Sequence, residues 1–390
     1  MLNEMTGCLS DLSDRSEPSG KTRTDLTVLK AHGGPVQQKN AQIGTVSPAG
    51  AADQPQARPA ACQRVGWLAW MRMLLTALLI GMVGIPLTGC QTLNTPDIPL
   101  ETLKQKYTNS HSRFIDIDGT LVHYRDQGSG RPLVLVHGIV SSLHTWDGWQ
   151  TYLGDKYRII RFDVPAFGLT GPMASGRYDA QGYAHVLEQL LVRLGVSEKI
   201  ALAGNSLGGY IAWNYALQHP ERVDRLILLD APAFQQDVPW VVRMANWPGA
   251  DSIGTQYTPR ALVATNVRRL FGNQALVTDE LIDRYHELAL RPGNRPAALQ
   301  VFRSMIEGAR QDSVGMDKLK MPTLLLWGKE DPWVPLSIAM RWLQVLPQAQ
   351  YKFYDGVGHM PMEEVPMESA LDADRFIQTG SVEKRDETPP

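Results

Sequence analysis

Cysteine is scarce: Cys8, Cys62 and Cys90 are the only three in 390 residues. All lie near the N-terminal side, so everything after Cys90 lacks a thiol for a disulfide, a thiolate metal site or a cysteine nucleophile. Charge of a single sign is missing too. The 38 Lys plus Arg and 40 Asp plus Glu leave a net charge of −2, with both signs interspersed, so nothing in the charge pattern points to nucleic acid as a partner. No cluster of His, Asp or Glu has metal-ligand spacing and no phosphate-binding glycine loop occurs, so neither metal nor cofactor is expected. Internal repeats are absent as well.

What is present begins with a compositional break. Residues 1–70 mix Pro, Gly, Ser, Gln and Ala without a sustained apolar period, and such a segment cannot bury enough surface to offset its chain entropy. It is expected to be disordered, or to lie upstream of the true start at Met71. Residues 71–89 then place Arg72 before an uncharged run that ends in Leu87, Thr88, Gly89 and Cys90. The run is interrupted by Pro86, and its apolar part is shorter than the roughly 20 residues a membrane-spanning helix needs. The segment resembles a bacterial lipoprotein signal, which implies cleavage before Cys90 and lipid attachment to it. Gln91 stands where lipoproteins kept at the inner membrane commonly carry Asp. The expected location is therefore the cell envelope, on the periplasmic face of an outer membrane where the cell has one.

Residues 90–112, polar with Pro96 and Pro99, read as a tether between that anchor and a folded body. The body opens with "RFIDIDGTLVHYRDQG" at 113–128, whose alternation around Asp118-Gly119 predicts a hairpin. Short continuous apolar runs follow: "PLVLVHG" at 132, "YRIIRFD" at 157, "KIALAGNS" at 199, "RLILLDAP" at 225 and "TLLLWG" at 323. Such runs fit strands covered on both faces. Helical periodicity lies between them, as in Tyr183, Val186, Leu187, Leu190, Leu191 and Leu194, with Asp179 as a cap. The alternation predicts an α/β fold with a mostly parallel sheet flanked by helices. Its core comprises 113–232 and 322–380, interrupted by a helical lid at 233–321 and followed by a disordered tail at 381–390.

In "GNSLGG" the residues Gly204, Ser206 and Gly208 form G-x-S-x-G between a buried strand and a helix pattern. A serine on so sharp a strand-to-helix turn needs small residues two positions on either side, and its hydroxyl is pushed out at the C-terminal edge of the sheet. A serine nucleophile needs a base, and the base an orienting carboxylate. Asp331 follows the strand "TLLLWG", and His359 follows the candidate strand "AQYKFYDG". Asp163 and Asp355 are second choices for the acid. Oxyanion donors are the N–H of Leu207 and that of Ile139 or its neighbour Val140, Ile139 preferred. His137 reads as structural. His144, Trp146 and Trp149 lie near the oxyanion loop, as pocket lining or, more simply, as packing.

Together "LVLVHG", "RFDVPAFGLTGP", "GNSLGGYIAW", "WGKEDPWVP" and "GHMPMEE" make the chain from Arg113 to about Thr379 resemble the α/β-hydrolase superfamily. The resemblance is to its lidded branch of carbon-carbon bond hydrolases, small esterases, lactonases and epoxide hydrolases. It implies attack by Ser206, proton relay by His359 and orientation by Asp331. Ser206 stands where the epoxide hydrolases and haloalkane dehalogenases of this branch carry Asp, which favours an acyl-serine route. One departure is Ala166, where the branch usually has glycine. The expected activity is hydrolysis of a small or medium ester, thioester, lactone or activated C–C bond. The rival is a non-catalytic envelope lipoprotein that uses the hydrolase shell to bind a ligand. A lid bearing Trp240, Trp247, Phe271 and Phe302 on its inner face is expected to close an apolar pocket that favours short acyl groups over long ones.

Overall fold

The computed structural model describes residues 94–310 and 312–382. The expected signal segment, Cys90, residues 1–70 and the tail beyond 382 lie outside the described residues. Among the described residues no helix is long and apolar enough to cross a membrane.

Eight strands form one sheet in the order β1-β2-β4-β3-β5-β6-β7-β8. They are β1 Ser112–Ile117, β2 Thr120–Gln127, β3 Pro132–Val136, β4 Arg158–Phe162, β5 Ile200–Asn205, β6 Val223–Leu229, β7 Thr323–Gly328 and β8 Gln350–Tyr354. β2 runs antiparallel to both β1 and β4, and the other neighbours are parallel. The β1–β2 turn forms at Asp118 and Gly119, both at positive φ (50° and 82°), as a two-residue hairpin of this twist requires. Every predicted apolar run became a strand because both faces are covered. Val134, Leu202, Leu226 and Leu325 enter one buried cluster, whereas their strand neighbours Leu135, Ala203, Ile227 and Leu326 enter the other.

The first face is packed by α3 (Ala180–Arg193) and α4 (Leu207–Gln218), the second by α2 (Asp147–Leu153) and α12 (Pro366–Thr379). Asp179 caps α3 as expected, its carboxylate accepting from the Gly182 N–H at 2.7 Å. One helix falls inside the expected tether. α1 (Leu100–Tyr107) buries Leu103 and Tyr107 against Leu169 and Leu288, and Thr95 ahead of it already bonds the Gln256 carbonyl, so the described part of the segment is docked rather than free. Its two buried side chains lie four apart on one face, a spacing too brief to stand out among polar neighbours.

Between β6 and β7 the chain leaves the sheet to build the lid. It contains α5 (Trp240–Arg243), α6 (Ala250–Gln256), α7 (Arg260–Leu270), α8 (Asp279–Ala289) and α9 (Asn294–Gly308). A last short helix before α12, α11 (Pro361–Glu364), follows β8, and α10 (Leu336–Val345) links β7 to β8.

Candidate active site

Ser206 sits where β5 turns into α4, at φ 55° and ψ −120°. This is a strained conformation for a residue with a side chain, and it holds only because the surroundings leave no other path. A Cβ on Gly204 would lie 2.1 Å from the Gly208 carbonyl oxygen, and one on Gly208 would lie 2.0 Å from that of Val136. The small residues of the motif are thus dictated by backbone crossing backbone. Leu207 is the first residue of α4, so its N–H has no acceptor within the helix. The loop after β3 presses on the serine from the other side: a Cβ on Gly138 would come within 3.1 Å of Ser206 Cβ. Ile139 follows in that loop, and Val140 adopts φ 53°; both line the same cavity as Ser206.

His359 lines that cavity as well and is buried. Its Nδ1 is 2.6 Å from Asp331 Oδ2. The other carboxylate oxygen of Asp331 accepts from the N–H groups of Trp333 (2.7 Å) and Val334 (3.1 Å), which fixes the carboxylate toward the ring. The histidine loop is itself clamped. The His359 N–H donates to the Leu270 carbonyl at the end of α7 (2.6 Å), the Asn205 amide donates to the His359 carbonyl (3.0 Å), and Glu364 accepts from the Gly358 N–H (2.7 Å).

The alternative acids are engaged elsewhere. Asp355 is exposed and pairs with Lys329. Asp163 is fully buried, accepting from the Leu143 and Leu169 N–H groups beside His123 Nδ1 at 2.8 Å. Although burial opposes it, the neighbouring histidines hold its carboxyl well below the usual range. His137 accepts from the Val164 N–H through Nε2, with Nδ1 on the Gly138 carbonyl, and burial lowers its pKa; it is a neutral brace for the loop. Trp146 and Trp149 are core residues in edge-to-face contact, and His144 bonds the Tyr107 carbonyl; none of the three lines the cavity. Ala166 takes φ 90°, with its N–H on the Gly171 carbonyl, so the turn forms without glycine at the cost of local strain.

Asp230, which sequence reasoning passed over, follows β6 in the same way that Asp331 follows β7. It is fully buried at φ 47°, and Asp230, Asp331 and His359 each offer a donor atom within 4.8 Å of the others. The oxygens are largely committed: those of Asp331 to His359 and two N–H groups, and Asp230 Oδ1 to the Gly328 N–H at 3.0 Å. Only Asp230 Oδ2 lacks a partner, so the donor set is that of a hydrogen-bond network with one open position rather than of a metal shell. Burial, and then the charge of Asp331, push the Asp230 carboxyl well above its ordinary range. A raised acid favours the fold fully below its unfolded value and loses that contribution as pH rises through its folded value. Asp230→Asn is therefore expected to flatten the decline of the melting temperature as pH rises above the ordinary carboxylate value of about 4. Parallel melting curves for the two chains above that pH would show Asp230 to be ionised.

The cavity beside Ser206 measures about 580 Å³, a size typical of small-molecule sites. It is overwhelmingly apolar, and the lid supplies most of its wall. Trp247 and Phe302 face it as expected. Trp240 does not, and Phe271 is instead buried under the histidine loop, where Gly358 and Gly272 pack against each other.

The alpha/beta hydrolase fold family matches residues 131–366. The chain belongs to this family. It is a hydrolase whose relatives split carbon-carbon bonds or esters. The 2-hydroxy-6-oxo-2,4-heptadienoate hydrolase of Pseudomonas putida is 26% identical over 255 residues, 63% of this chain and 89% of that one. A meta-cleavage product hydrolase from Pseudomonas fluorescens superposes with a TM-score of 0.60 at 28% identity, covering 68% of this chain and 97% of its own. A thermophilic esterase from Thermogutta terrifontis gives 0.58 at 26% identity, over 69% and 98%.

Proposed function

We propose that this hydrolase is a lipid-anchored serine hydrolase that works through a covalent acyl-enzyme. Ser206 attacks the substrate carbonyl, His359 takes the serine proton and passes it to the leaving group, and Asp331 holds the imidazole in the required tautomer. The N–H groups of Leu207 and Ile139 receive the developing oxyanion. Water then repeats the cycle on the acyl group, with His359 as base. The observation that carries this reading is the 2.6 Å pairing of His359 with Asp331 beside a strained serine in one apolar cavity. The anchor is the lipid on Cys90, which places the enzyme in the cell envelope.

A neutral acyl ester, thioester or lactone suits the cavity better than the dienoate substrate named for the Pseudomonas putida relative. Apart from His359, Arg295 is the one basic residue in the lining, and its guanidinium is already bound to the Thr95 carbonyl and to Asp97. A substrate carboxylate would find no ready counter-charge there. The cavity bounds the acyl group too, so hydrolysis of p-nitrophenyl esters is expected to peak at short or medium chains and to fall once the chain outgrows the space. Activity that climbs steadily out to the longest chains would refute that bound. Labelling with a fluorophosphonate, followed by peptide mass spectrometry, tests the serine reading itself. A modified Ser206 supports it, whereas folded protein that stays unlabelled supports a ligand-binding shell.

A further inference from the structure

The wall of the cavity that lies farthest from ordinary packing is α6 with its two flanks. This helix buries none of its residues, yet Ala250, Ile253 and Gly254 line the cavity beneath it. Trp247, Ile253 and Tyr257 also line it while remaining 59%, 62% and 44% exposed. A soluble surface carries single exposed apolar side chains without consequence, but three large ones within eleven residues, all on the rim of one apolar cavity, mark an interaction site. Trp and Tyr are the residues favoured where a bilayer meets water.

The N-terminal segment says what the rim meets. Thr95 is fastened to this rim: its N–H donates to the Gln256 carbonyl (2.7 Å), its hydroxyl accepts from the Thr258 N–H (3.0 Å), and its carbonyl accepts from Arg295 (2.8 Å). Gln256 and Thr258 flank Tyr257. Asp97 pairs with Arg295, and the Ile98 N–H donates to the Leu290 carbonyl, so the chain is stapled across the lid before α1 begins. Cys90 lies five residues upstream, within about 18 Å of Thr95 even at full extension. A lipid on Cys90 therefore cannot leave the rim far from the bilayer.

We infer that Trp247, Ile253 and Tyr257 rest in the bilayer surface and that the cavity draws its substrate from there. The substrate class is a membrane-dissolved acyl ester of short to medium chain. This rests on the lipid anchor and hydrolase reading given above. The acyl chain passes from the bilayer between the rim residues into the apolar cavity without crossing water, and its ester reaches Ser206.

The test uses the full chain isolated from membranes and reconstituted into vesicles of phosphatidylcholine with brominated acyl chains, which quench buried tryptophans. Quenching of the wild type should exceed that of Trp247→Phe, the difference being the share of emission from Trp247. Equal fractional quenching of the two chains, each normalised to its own unquenched emission, together with no change in emission on adding vesicles, overturns the proposal. Ile253→Asp should lower hydrolysis of a vesicle-dissolved medium-chain ester at least tenfold more than hydrolysis of a water-soluble acetate ester; an equal loss on both overturns it as well. Mass spectrometry of the Cys90 peptide reads the anchor separately. An unmodified Cys90 overturns the anchor reading, while the quenching result alone decides whether the rim enters the bilayer.

Discussion

Ser206→Ala is expected to lower kcat for ester hydrolysis by a factor on the order of 10⁵, with the melting temperature close to that of the parent chain. The serine side chain does not cap α4, so its hydroxyl contributes little to the helix. Alanine inherits the same strained φ of 55°, which the crossing of Gly204 and Gly208 with their neighbours enforces whatever side chain stands there. His359→Ala should cost a similar factor in rate, but it should also destabilise the fold. It leaves Asp331 Oδ2 buried without its ring partner, a loss of about 1–3 kcal/mol. Since the two residues act in one step, the double variant is expected to be no slower than either single one. Additive losses, or a Ser206→Ala chain that keeps more than about a tenth of the activity, would place the nucleophile elsewhere.

Much of this architecture was legible in the chain because the governing constraints are local. A parallel strand buried on both faces is apolar along its length, and β3, β5 and β7 are buried at every position and apolar except at the end residues Asn205 and Thr323. The Asp118-Gly119 turn announces itself by residue type, as does the Asp179 cap. The sharp turn at Ser206 was equally readable, since the crowding that demands Gly204 and Gly208 is set within a few residues of the serine or by the adjacent strand.

What the sequence does not display depends on contacts between distant segments. Asn205 earns its place by reaching the His359 carbonyl 154 residues away, and nothing in its neighbourhood signals this. Glu364 holds both Gly358 and Asn273, joining the histidine loop to the lid. The docking of α1 is hidden in the sequence for the same reason: Leu103 and Tyr107 are buried only because Leu169 and Leu288 arrive from elsewhere. Asp230 differs from these, since an acidic residue closing an apolar run was visible in "RLILLDAP". That pattern marks the edge of the sheet where Asp331 also lies.

Asp331→Asn is expected to lower kcat by about 10⁴, while Asp355→Asn leaves it within about twofold. The first effect follows from the tautomer. Asp331 Oδ2 accepts from His359 Nδ1, so the proton sits on Nδ1 and Nε2 stays free to take one from the serine. An asparagine that turns its amide N–H toward the ring reverses this, and Nε2 then carries the proton it should accept. The substitution keeps an oxygen for the Trp333 and Val334 N–H groups, so the loop should survive and the loss should be chemical rather than structural. Asp355 has only its exposed pairing with Lys329 to lose. The Asp331→Asn chain also lacks the charge that helps to hold Asp230 protonated, so Asp230 should ionise at lower pH than in the parent. Its carboxylate then becomes the nearest one to His359 among the described residues that cluster there. Residual activity of Asp331→Asn should accordingly rise with pH, and the rise should vanish in Asp331→Asn/Asp230→Asn. Full activity in Asp331→Asn with loss in Asp355→Asn would move the acid to β8 and overturn the assignment.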